Sequence, residues 1–209
     1  MAQKKGEWSK PVTTQIKNNM EESARAAYLN GCALCDDARL LFDAERFARS
    51  AALAILAEEE FSKAFILLIC VGQGRWDSSI YQALRKHPEK QGVAEGMRIH
   101  FDWFLQNYKQ VMEMNRFSPV EAQPTVIPSD EKVNEIIQKA KNNFSKPIRD
   151  YLKQDALYVS LNEDAKVGSG PSAVGREDAQ RCLDESTKFR VITEVLLGDP
   201  TGAVKWAGL

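Results

Sequence analysis

The chain lacks any long hydrophobic run. Its longest uninterrupted apolar stretch, Ala64 to Val71, is far too short to cross a bilayer, and MAQKKGEWSK at the start has no apolar signal core. A cytoplasmic protein with no membrane contact is expected. An excess of charge is missing too: 28 Lys and Arg stand against 29 Asp and Glu, for a net charge of -1. Bulk charge therefore gives no reason to expect a nucleic-acid or membrane-surface binder. Histidine is scarce, with His87 and His100 the only examples. No Glu-x-x-His pair exists, so the di-metal carboxylate chemistry that helical bundles host is excluded. Nucleophile elbows and phosphate-cradling glycine loops are also absent. Of the four cysteines, Cys32 and Cys35 form a C-x-x-C, but there is no second pair and no companion histidine. All four are read as reduced packing residues, and neither metal nor cofactor is expected.

What the chain does contain is helix-period patterning. With 209 residues, 44% of them hydrophobic, and no internal repeat, it can enclose one core. Residues 1–11 are polar, end at Pro11 and read as a flexible lead-in. Residues 12–198 form one helical domain, and 199–209 a tail. Thr13 or Thr14 caps a first helix whose apolar line runs through Ile16, Met20, Ala24, Ala27, Gly31, Leu34, Cys35, Ala38, Leu41 and Phe42. Gly31 and its small neighbours let another helix approach closely. A tight link at Ala44 and Glu45 leads into a second long helix, Arg46 to Val71, so the two form an antiparallel hairpin. Gly72 and Gly74 end it.

Further on, Trp76 to His87 holds one short helix. A helix is predicted over Glu89 to Arg116 with His100 on its apolar line, then an extended loop at 117–130 carrying three prolines. Ser129 or Asp130 caps another helix through Phe144, broken at Pro147. Ala156 to Val159 is β-prone but too short to found a sheet, Val167 to Gly175 reads as a flexible loop, and Arg176 to Leu197 is the last helix. The architecture is an all-α antiparallel helical bundle with long loops.

The second helix carries Glu58, Glu59 and Glu60 inside an apolar cylinder. Three consecutive positions fan over about 200° of a helix, so at least one of these carboxylates is driven toward the interior and needs a counter-charge. Lys63, four residues beyond Glu59 in the favourable order, is the nearest. Two readings stay open: ion pairs that join helices, or an acid and base at the floor of a polar pocket. The most cationic short stretch, RKHPEK, follows the same helix with Arg85, Lys86, His87 and Lys90. Glu59, Lys63 and His87 are the candidate catalytic groups, with Arg149 and Asp150 as candidates to join them.

Four stretches resemble the AbiV family of bacterial abortive-infection proteins, itself similar to HEPN-type helical bundles. Asp36-Asp-Ala-Arg-Leu-Leu41 is similar to the acidic-then-apolar end of the family's first helix. Ser50 to Lys63, SAALAILAEEEFSK, resembles its central small-apolar run closing on two glutamates and a lysine, here Glu59, Glu60 and Lys63. His87 with Lys90 and Gln91 resembles its histidine-lysine element, and Leu157-Tyr-Val159 its aromatic step. The resemblance adds Asp37, Glu60, Arg85, Lys90 and Tyr158 to a polar core with Arg149 and Asp150. Ser62 stands where glycine is usual, Ser160 where aspartate is common, and the R-x4-6-H motif of RNA-cleaving HEPN proteins is absent. The resemblance implies an anti-phage effector, a helical homodimer that binds a phage or host protein and arrests phage multiplication or host translation. The alternative is a metal-independent ribonuclease with a non-standard site, for which RNA is the partner and His87 the base.

Overall fold

The computed structural model describes residues 8–85, positions 90, 92, 94 and 97, and residues 148–197. Within them the fold is all-α: α1 (Thr14–Asp43), α2 (Phe47–Gln73), α3 (Ser78–Ala83), α4 (Ile148–Leu157) and α5 (Arg176–Leu196). A small antiparallel pair, β1 (Ser160–Leu161) and β2 (Val167–Ser169), and a 3-10 turn at Pro171–Ala173 link α4 to α5. Lys90, Gly92, Ala94 and Met97 are helical. The remaining expectations for 86–147, including His87 and His100, and those for 199–209, lie outside the described residues.

Thr13 caps α1, its side chain accepting from the Ile16 N–H. The buried face of α1 is Met20, Ala24, Ala27, Gly31, Cys35, Ala38 and Phe42, the stripe that its 3.6-residue period dictates. Glu45 takes a positive φ of 58° and the chain reverses at once, Arg46 N–H donating to the Leu41 carbonyl at 2.8 Å. The helices then pack antiparallel. Ser50 Oγ donates to the Ala38 carbonyl near the turn, the Phe61 ring lies against Gly31 midway, and Met20 meets Leu67 and Cys70 at the far end. Alanines at 51, 52, 54, 57 and 64, all fully buried, let neighbours come close to α2 on several sides. Both α4 and α5 pack there as well.

Gly74, at φ 61°, closes α2 with paired bonds from its own N–H to Val71 and from Arg75 N–H to Cys70. Gly72 is simply part of the helix. Asp77 caps α3 by accepting from the Ser79 and Ile80 N–H groups, and the Ser79 hydroxyl, the Ile80 N–H and Arg75 hold its carboxyl below the usual carboxylate range.

Two local expectations differ from the structure. Residues 8–10 are not a loose lead-in: Lys10 N–H donates to the Trp76 carbonyl at 3.0 Å, Ser78 N–H to that of Trp8 at 2.9 Å, and the Trp8 ring packs against Trp76 and Tyr81. The supposed loop after Val167 begins as strand β2. It is held by Ser160 Oγ, which accepts from the Ser169 N–H at 2.8 Å, and by Asn162, whose side chain accepts from two N–H groups of the turn.

Candidate functional site

The three glutamates on α2 part company according to the direction each takes. Glu58 and Glu59 point inward and are only 4% and 1% exposed, whereas Glu60 lies at the margin. No isolated carboxylate would remain ionised at such burial, so each must face a cation. Arg149, in the first turn of α4, donates from Nη2 to Glu58 Oε1 at 2.9 Å. One turn further along α4, Lys153 donates to Glu59 Oε1 at 2.8 Å, and its ammonium also sits 3.2 Å from Asp150. Lys90 reaches the other oxygen of Glu59 at 3.3 Å. Both lysines are buried, at 4% and 6% exposure. Glu58, Glu59 and Asp150 thus meet Arg149, Lys153 and Lys90 in one cluster of charges.

A thiol completes it. Arg149 Nη1 donates to Cys182 Sγ of α5 at 3.0 Å. Burial pushes the Cys182 thiol up to about 11, against the pull of the guanidinium, so it is a neutral thiol at physiological pH. Burial by itself would lower the pKa of Arg149, but Glu58, with Cys182 and Glu185, raises it above its ordinary value and fixes the positive charge. Ser62 Oγ donates to the Glu58 carbonyl at 2.8 Å, so the serine standing at a usual glycine position is fully satisfied.

The structure corrects the expected partner of Glu59. Lys63 pairs with Glu60 instead, three residues back along α2. Lys63 is part-exposed, and keeping its ammonium near water costs less than following Glu59 into the core. Of the other candidates, Lys90, Arg149 and Asp150 join the buried cluster. Asp37 is exposed on α1 with no ion pair among the described residues. Arg85 lies over the Tyr81 ring and Tyr158 is 61% exposed, so neither joins. His87 lies outside the described residues. Lys153 and Cys182 were missed. The Arg149, Asp150, Lys153 spacing, which puts three charges on one face of a helix, is the signal from which Lys153 could have been found.

A second polar contact ties α1 to α5: Tyr28 OH donates to Glu194, while Arg190 bridges Glu194 at 3.4 Å and Asp36 at 3.2 Å. Among the described residues no group of His, Cys, Asp and Glu is arranged to hold a metal ion, and no helix is long and apolar enough to cross a membrane.

Chemically the buried cluster is a clamp. Both oxygens of Glu59 already face ammonium groups, and the ion pairs of Glu58 and Glu59 join α2 to α4 and to Lys90. The HEPN_AbiV family model, described as AbiV, matches residues 19–190. Neither a curated protein nor a solved structure matches the chain.

Proposed function

Because the chain belongs to the AbiV family, we propose that it is an anti-phage, abortive-infection effector that acts by binding, arresting phage multiplication or host translation through contact with a phage or host protein. The observation that carries this reading is the pairing of Glu58 and Glu59. Their carboxylates are buried and engaged with Arg149, Lys153 and Lys90, which suits a rigid scaffold better than a base awaiting a substrate proton. In cells expressing the chain with and without phage, total RNA is expected to stay intact while phage yield or protein synthesis falls. Discrete RNA cleavage that disappears in His87→Ala would replace the binding reading with the ribonuclease one.

The scaffold is proposed to be a homodimer. Leu29 and Leu40 are 60% and 68% exposed and lie about three helical turns apart on one stripe of α1, apolar surface that a second copy would cover. Light scattering is expected to give twice the 23.5 kDa of one chain at micromolar concentration. A single-chain mass there would overturn the dimer.

A further inference from the structure

The α1–α2 turn gathers arginines that the buried cluster does not use. Arg39 and Arg176 both place their guanidinium over the Phe42 ring, at 5.9 and 5.1 Å from its centre, and Arg176 also lies 5.6 Å from that of Phe47. Phe42 and Phe47 meet edge to face, so two rings and two guanidinia form one cation–π cluster. Arg46 and Arg49 flank Phe47 at the start of α2, and all four arginines are exposed. Among the described residues none of the four has a carboxylate within ion-pair distance, although Asp43, Glu45 and Glu177 are close in sequence. Of the other arginines among the described residues, Arg75, Arg149, Arg181 and Arg190 have acidic partners, whereas Arg25 and Arg85 stand singly without one; only here do four unpaired arginines lie together.

We propose that this arginine end of the bundle docks an acidic segment of a partner protein. A guanidinium held against an aromatic ring, with no carboxylate paired to it, still has N–H donors with which to take a carboxylate by two parallel bonds. Nucleic acid fits less well. Phe42 is buried beneath the guanidinia, so its ring offers no bare face for a base to stack on. The groove of about 480 Å³ that continues from Arg176 along α5 is lined by Glu177, Asp184 and Glu185 as well as Arg181 and Lys188, so it carries no net positive charge and the docking surface is confined to the four arginines. The inference rests on the binding reading of the chain but fails separately from it.

The test uses the full chain and a fluorescein-labelled deca-glutamate peptide, read by fluorescence anisotropy at low ionic strength. Arg46→Glu/Arg49→Glu spares the two arginines that lie over the rings, so circular-dichroism melting is expected to stay as in the parent. The same double variant is expected to lose about tenfold or more in peptide affinity. Lys17→Glu/Arg25→Glu, an equal charge change on the other part of α1, is expected to bind as the parent does. Undetectable peptide binding, equal losses in the two double variants, or an RNA decamer that binds more tightly than the peptide through Arg46 and Arg49 would each overturn the proposal. RNA cleavage in infected cells would sink the scaffold reading, whereas unaltered peptide affinity would sink only the arginine surface.

Discussion

Glu59→Gln is expected to cost roughly 3–5 kcal/mol of folding stability and to lower the melting temperature by roughly 10 °C. The amide is nearly the same shape as the carboxylate, so the loss is electrostatic. Two buried ammonium groups, Lys90 and Lys153, would lose the charge they share, and Asp150 alone would remain beside Lys153. Leaving a charge unpaired is the expensive step, not the absence of the pair itself. The companion variant therefore removes the whole set: Glu59→Leu with Lys90→Met and Lys153→Met is expected to recover most of the stability lost by Glu59→Gln. Equilibrium urea unfolding of the three proteins decides it. A Glu59→Gln protein as stable as the parent would show that the cluster is not a clamp.

The second large effect belongs to Phe61. Its ring is fully buried and fills the place where a Cβ on Gly31 would stand, with Cε1 only 2.6 Å from that position. Phe61→Ala is expected to cost about 3–5 kcal/mol through lost burial and the cavity left behind. Gly31→Ala should destabilise the parent by about 1–3 kcal/mol, because the ring is enclosed and cannot step aside. In the Phe61→Ala background the same glycine change should reverse sign. The clash is gone there, part of the cavity is filled, and alanine is the better helix former by roughly 1 kcal/mol. A double-mutant cycle by chemical denaturation measures this. Additive effects at the two sites would refute the close approach.

These two sites show what the sequence could and could not carry. The stripe from Met20 to Phe42 was legible because a long helix against one partner imposes a regular period, and the need for a close approach at Gly31 followed from its position on that stripe. That at least one glutamate turns inward was legible too, since all three lie on apolar lines, but which of them do so was not. Their partners were legible only in part: Arg149 and Lys90 were named as candidates, and Lys153 was not. Lys63 is four residues from Glu59 and Lys153 is 94 away, and nothing in a linear pattern weighs a tertiary contact against a local one. Asp37, Arg85 and Tyr158 are similarly set apart by folding in three dimensions. The β1–β2 hairpin escaped notice because it is exposed and depends on Ser160 and Asn162 side chains rather than on an alternating apolar pattern.

The clamp joins residues that lie far apart along the chain: Glu58 with Arg149 is 91 positions, and the Tyr28–Glu194 contact spans 166. The α1–α2 hairpin, by contrast, is closed by contacts across a two- or three-residue turn. Local closure loses little chain entropy and proceeds quickly, while long-range closure must wait for an ordered surface to close onto. The hairpin is therefore the natural folding nucleus, with Phe61 and Gly31 inside it, and the ionic clamp is set afterwards, when α4 and α5 arrive. Weakening the clamp then acts on the way out rather than on the way in: the folded protein comes apart sooner while its rate of formation is nearly unchanged, so the buried charges act chiefly to lengthen the lifetime of the native state.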